Sequence, residues 1–416
     1  MSDRQALPSG LQLTALDPTF RDRPHEVLDA LREAAPVHDD RALGRVFLTR
    51  FADAEAVLAN RGLAADPRKA TPGTYHHRVY VGAGAAAPFE PSMLQLDDPD
   101  HRRLRRLTTQ AFNQRTVEAM RPRIRAIAAE LLDALPPEDG FDVIAAYAAP
   151  LPIIVIAEML GVDAADMAQF KAWSDDRAQG FNPARTEAQT AALRAAQDGL
   201  NGYIARAAAE RRERRGSDLI SALVAAEEAG EQLTLREIVT TCHLLLVAGN
   251  LTTTDLIGNG VHLLLRHPDQ LGRLRDRPDL AANAVEEILR HDPPVAQTTR
   301  TATQPVTIGG VEVAAGHSLT TSLLAAGRDP ERHADPHRFD VTRRDTGHLA
   351  FGGGPHFCLG APLARAEAQI ALTLLFERFP ALRLDPERPS RRKSLPVFNG
   401  WQEVWVRTGA VGPSTD

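Results

Sequence analysis

Apolar residues recur at helical spacing along most of the chain, in stretches long enough to be more than local accidents. The pattern predicts helices over 115–135, 151–160, 187–212, 218–229 and 363–379. The longest begins at TLRE, where Thr234 as N-cap and Glu237 three residues later form a capping box. Apolar residues then continue to Leu265, before His267-Pro268 ends the run. At the α-helical rise, roughly 30 residues span about 45 Å, enough to cross a whole domain. A helix this long and this apolar belongs at the centre of the molecule.

Strand patterns are few and short. Residues 45–49 and 401–407 alternate, and VTIGGVEV at 306–313 reads as two three-residue strands around Gly309-Gly310. There is no internal repeat and no Pro/Gly/Ser-rich linker. The expected architecture is one mainly α domain over 1–416 with small sheets. Its core runs over about 17–407, between short flexible tails.

Composition adds exclusions. With 43% hydrophobic and 25% charged residues the chain can bury a large core, and its net charge of −6 argues against a nucleic-acid binder. The opening MSDRQALPSGLQLTALDPTF has no apolar run suited to a signal peptide or membrane anchor, so a cytoplasmic location is expected. Two cysteines cannot by themselves supply a four-cysteine zinc site or an iron–sulfur cluster. Cys242, inside the apolar helical TTCHLLLVAG, reads as a buried inert thiol. The basic residues are nearly all arginine, the lysines being Lys69, Lys171 and Lys393, so a lone arginine carries little information.

Cys358 is different. It lies in FGGGPHFCLG, among Gly352, Gly353, Gly354 and Gly360, directly before the helical APLARAEAQIALTLLF with Pro362 near its start. A thiolate at a helix N-terminus is stabilised, and a metal held from one side by such a ligand is its natural use. The stretch resembles the haem-binding loop of the cytochrome P450 family at Phe351, Gly354, His356, Cys358 and Gly360. The resemblance implies haem b as cofactor, with iron ligated by Cys358.

Further stretches extend the resemblance in family order. Glu287 and Arg290 in EILR stand at i, i+3, in itself an ordinary solvated pair. The resemblance makes them a lock behind the haem, closed by Arg338 in DPHRFD. His101 and Arg105 in HRRLRRL stand at i, i+4. With Arg300 and His356 they are the implied partners of the two haem propionates, carboxylates that call for basic, bidentate donors. In AGNLTT, Gly249 permits close approach of a ligand and Thr252 can bend the helix. The resemblance makes this segment the oxygen groove, with Ala248 among the haem contacts and Thr252 managing protons. Asn250 is placed to anchor a water. Asp255 either passes protons or makes a structural hydrogen bond. The family's usual acid before that threonine is replaced by Leu251.

The implied activity is that of a haem-thiolate monooxygenase placing one oxygen atom of O2 into a hydrophobic small molecule. Its expected electron source is a separate ferredoxin or flavodoxin with its reductase. That partner would dock beside Arg102, Arg103, Arg106 and Arg365. The implied pocket walls are the 71–96 loop, Leu244, Val247, Val295 through Gln297, Val397 and Phe398. Two alternatives stay open: a haem-based sensor that never turns over, and peroxide-driven or coupling chemistry on the same centre.

Overall fold

The structure, a computed structural model, describes residues 7–81, 90–135, 140–228 and 233–409. At its centre is one helix, Leu235–Arg266, of 32 residues. The capping box starts it: Thr234 N–H donates to Glu237 Oε2 at 2.9 Å, and Glu237 N–H donates back to Thr234 Oγ1 at 3.2 Å. His267 ends it, and Pro268 opens the next helix, Pro268–Asp276. Because the central helix is apolar nearly all round, it has to be covered on every side. The helices Pro150–Leu160, Met167–Ala178, Glu187–Glu213 and Ala361–Arg378 cover it.

The helices expected from periodicity are present as Gln114–Asp133, Pro150–Leu160, Glu187–Glu213, Leu219–Glu228 and Ala361–Arg378. Ala229, the expected end of one of them, lies outside the described residues. Among the described residues no helix is long and apolar enough to cross a membrane.

The largest sheet has five strands in the order Val37–Asp40, Arg45–Leu48, Ser318–Ser322, Gln297–Ala302, Leu63–Ala64. Only the pairing of Arg45–Leu48 with Ser318–Ser322 is parallel. Arg45 is buried beneath this sheet, its charge met by Asp40 at 2.8 Å and its plane flanked by the rings of Phe47 and Tyr75, each 4.7 Å away. VTIGGVEV forms the expected hairpin, Val306–Ile308 with Val311–Val313. The alternating 401–407 segment is not one strand. It breaks at Val404 into Trp401–Glu403, paired with Arg391–Arg392, and Trp405–Arg407, paired with Phe141–Asp142 and Arg383–Leu384. Asp142 Oδ1 holds the break by accepting from Val404 N–H at 2.8 Å.

Glu287 and Arg290 form a bidentate pair at 2.7 and 2.8 Å, both side chains fully buried. Arg290 also donates to the carbonyls of Gly327, Pro336 and Arg338 at 2.7, 2.9 and 3.1 Å. The third member of the lock is Arg343, not Arg338. Arg343 Nε reaches Glu287 Oε1 at 3.2 Å, while the Arg338 side chain turns outward to Asp340 at 3.3 Å and lends the lock only its backbone carbonyl. The loop has to fold back before a side chain can meet Glu287, and that happens five residues later.

Candidate active site

The cysteine loop is set by its backbone. Gly354 has φ +62°, and a Cβ there would run into the carbonyl of Leu58, so only glycine fits. Cys358 N–H donates to the Phe351 carbonyl at 2.9 Å, which closes the loop onto itself. The amides of Gly360 and Ala361, at the head of helix Ala361–Arg378, donate to the thiol. Burial raises the Cys358 pKa, while these two amides and the nearby Arg105 and Arg365 pull it back. Arg365 is itself fixed by Glu286 at 2.6 and 2.9 Å and lies over the Phe351 ring at 4.6 Å. Cys242 has no such setting. It is fully buried, and burial pushes it up to about 12, the inert thiol expected.

Four nitrogen-bearing side chains gather beside this loop. The rings of His101 and His356 lie 4.1 Å apart, and Arg105 borders a cavity of about 480 Å³ with His101, Gly354 and Pro355. Burial, then Arg300 and His101, push His356 down to about 3, while burial and Arg105 lower His101. Arg300 donates to the Thr299 carbonyl at 2.9 Å and to Thr298 Oγ1 at 3.5 Å. Neither Arg105 nor Arg300 hydrogen-bonds a carboxylate among the described residues. Two imidazoles and two guanidiniums crowded in this way call for anions. This donor set fits a group carrying two carboxylates on one side and a thiolate-ligated metal on the other, as haem does.

Over residues 241–261 the central helix is buried except for one accessible strip: Leu244, Val247, Ala248, Gly249 and Thr252. Thr252 Oγ1 donates to the Ala248 carbonyl at 2.9 Å, the competing bond expected of a threonine at this place. Asn250 is buried off this strip, and its Oδ1 accepts from Thr254 at 3.4 Å. Asp255 is fully buried and accepts from Lys393 Nζ at 2.6 Å, beneath Gly400, where a Cβ would collide with the carboxylate. The bond to Lys393 is of the structural kind, one of the two roles expected for Asp255, while its Oδ2 has no hydrogen-bond partner among the described residues. Leu251 packs with Ala178 and Phe398. Apolar contact fills the place of the usual acid.

Among the expected walls, Val295 bridges Phe398, and Phe398 meets the Phe181 ring edge-on at 5.4 Å, with Val247 and Val397 alongside. The 82–89 part of the expected 71–96 wall lies outside the described residues. The basic patch is largely compensated, because Arg102 pairs with Asp98 at 2.6 Å, Arg103 with Asp100 and Glu237, and Arg365 with Glu286. Sequence reasoning missed Phe181 and Arg177, which the fold brings beside Phe398 and beside Tyr80 of the expected 71–96 wall. An arginine in SDDRAQGF carries no signal that separates it from its many surface counterparts.

The family model for cytochrome P450 matches residues 180–398. Cytochrome P450 monooxygenase PikC of Streptomyces venezuelae is 42% identical over 387 residues, which is 91% of this chain and 89% of that protein. The 6-deoxyerythronolide B hydroxylase of Saccharopolyspora erythraea is 42% identical over 385 residues, 91% of this chain and 94% of that one. The crystal structure of CYP109E1 from Bacillus megaterium in complex with testosterone superimposes with a TM-score of 0.86 at 33% identity. It covers 94% of this chain and 100% of the other.

Proposed function

This chain belongs to the cytochrome P450 family, as a haem-thiolate monooxygenase of bacterial type, and we propose on that footing how its own residues divide the work. Cys358 would ligate the haem iron, because its thiol alone stands in a loop that aims two backbone amides at the sulfur. The observation that carries the assignment is this loop facing a basic cluster in which neither Arg105 nor Arg300 has a hydrogen-bonded carboxylate among the described residues, while His101 lies 3.7 Å from Asp98. His101, Arg105, Arg300 and His356 hold the two propionates.

Haem, when bound, supplies the reductive activation of O2. The protein orients the substrate, excludes stray water and delivers protons. Thr252 holds a proton at Oγ1 on the accessible strip of the central helix, and Gly249 leaves room beside it. Asn250 serves the helix rather than the strip. Leu244, Val247, Val295, Val397 and Phe398 shape an apolar pocket, and a relative solved with testosterone supports a hydrophobic small-molecule substrate. Electrons come from a separate ferredoxin or flavodoxin with its reductase. The protein works in the cytoplasm, in line with two unpaired cysteines and the absence of a membrane-crossing helix among the described residues.

The carbon-monoxide complex of the reduced protein tests the ligand. The long-wavelength band that names the family should be lost in Cys358→Ala and kept in Cys242→Ala, and the reverse pattern refutes the assignment. Product formed per O2 consumed tests the proton role: Thr252→Ala should uncouple the two. A sensor would form no product at all.

A further inference from the structure

Arg177 stands between three helices, Met167–Ala178, Glu187–Glu213 and the central one. Its Nε donates to His243 Nε2 at 3.1 Å and its Nη1 to Gln197 Oε1 at 3.1 Å. His243 Nδ1 faces Asn201 Oδ1 at 2.9 Å. An imidazole that accepts from a guanidinium on Nε2 carries its proton on Nδ1, so His243 donates to Asn201 and is neutral. Burial, then the charge of Arg177, push His243 down to about 3, in agreement. Burial also lowers Arg177, to about 10, which still leaves it charged at neutral pH. All its partners are therefore uncharged. No carboxylate acts on it among the described residues, and its Nη2 has no hydrogen-bond acceptor there.

The surroundings show which way it looks. Ala178, the next residue, is fully buried with Leu251 and Phe398. The Phe181 ring stands edge-on to both Tyr80, at 5.9 Å, and Phe398, at 5.4 Å. The Tyr80 hydroxyl lies within electrostatic reach of both Arg177 and Arg300. Tyr80, one end of this row of rings, thus stands between Arg177 and Arg300 of the propionate cluster. His243 precedes Thr252 by nine residues on the central helix, about 13 Å along its axis.

A guanidinium held by neutral partners inside an apolar wall is positioned but not neutralised, and its desolvation is offset only when an anion arrives. We propose that Arg177 is the anchor for a carboxylate at one end of the substrate, whose apolar body reaches from there to Thr252. This deepens the monooxygenase reading and rests on it. Arg177 acts in specificity, through the guanidinium–carboxylate fork that Nη2 leaves open.

The test is a spectral binding titration of the haem-loaded protein with saturated fatty acids of graded length, each against its methyl ester. At neutral pH the wild type should bind the best acid about ten-fold or more tightly than its ester, as a charge-assisted hydrogen bond predicts. Arg177→Gln should erase that preference by weakening the acid alone. Equal affinities for acid and ester at every length, or a preference untouched in Arg177→Gln, overturn the proposal. Should Arg177→Gln fail to fold, Arg177→Lys carries the test. It keeps the charge but loses the fork, so the preference should fall, and an undiminished one overturns the assignment. The carbon-monoxide spectrum of the same samples reads the haem-thiolate centre separately. A normal band without acid preference removes the anchor and leaves the monooxygenase standing.

Discussion

Lys393 Nζ meets the fully buried carboxylate of Asp255 at 2.6 Å, tying the C-terminal loop to the middle of the central helix. Removing the lysine leaves a buried charge alone, so Lys393→Met should lower unfolding stability by about 3–5 kcal/mol, and Asp255→Asn by less. If the pair is structural, Asp255→Asn keeps its ratio of product to O2 consumed while Thr252→Ala loses it. Equal uncoupling in both variants would return Asp255 to the proton path.

Arg343 and Arg338 separate the observed lock from the expected one. Arg343→Ala withdraws a half-buried guanidinium from Glu287 and three carbonyls, and should cost about 3–5 kcal/mol in chemical denaturation. Arg338→Ala removes a largely exposed pair with Asp340 and should cost no more than about 1 kcal/mol. A reversed order would put Arg338 back in the lock.

Arg105 and Arg300 should matter for holding the cofactor. Arg105→Ala or Arg300→Ala is expected to speed haem transfer to an acceptor protein by at least about ten-fold, the equivalent of roughly 1.4 kcal/mol. Arg212→Ala, which breaks only a surface pair with Glu227, is the control. Equal haem loss in all three would dissolve the proposed cluster.

Glu367, nine residues after Cys358 on helix Ala361–Arg378, is buried with Oε2 unpartnered among the described residues, and burial pushes it up to about 8 from an ordinary 4.5. Below about pH 4.5 the group is protonated folded or unfolded and carries no penalty. As pH rises toward 8 the unfolded chain gains from ionising while the folded one stays neutral, and stability falls. Glu367→Gln should remove this dependence, making the variant more stable than wild type by about 2–4 kcal/mol near pH 8 and nearly equal near pH 4.5. Parallel stability–pH curves for the two proteins would contradict it.

Leu251 sits where the family usually has an acid, yet it is 5% exposed and packed with Ala178 and Phe398. Leu251→Asp should therefore lose more stability than Leu251→Ala, itself expected to cost about 2–5 kcal/mol, because it buries a carboxylate among apolar groups. Faster oxygen activation in a stably folded Leu251→Asp would show that the lost acid limits turnover.

Much of this was legible in the sequence because it is written locally. The capping box at Thr234 and Glu237 and the apolar run behind it set the central helix within a residue at either end. The glycine-framed Cys358 announced its loop for the same reason. Long-range pairing hides the rest. Gln297–Ala302 and Ser318–Ser322 are rich in threonine and serine and look solvated, yet they form the middle of the main sheet because Leu63–Ala64 and Arg45–Leu48, from far along the chain, flank them on either side. The swap of Arg343 for Arg338 was likewise invisible, since two arginines in a loop without periodicity are told apart only by where the loop turns. Arg177 is recognisable only by the company it keeps in space.

The Lys393–Asp255 pair also bears on the order in which the molecule is assembled. Asp255 and Lys393 are 138 residues apart, and Asn259, one turn further along the same helix, donates to the carbonyls of Asp292 and Asn399 at 2.9 and 2.8 Å. During synthesis the central helix emerges with this polar face uncovered and stays so until residues 393–399 exist. Contacts of such long range close late and slowly. A growing chain therefore carries, for about a third of its length, a helix whose middle is finished only by a segment not yet made, and a nascent chain stalled before Lys393 should remain open to proteases along Asp255–Asn259.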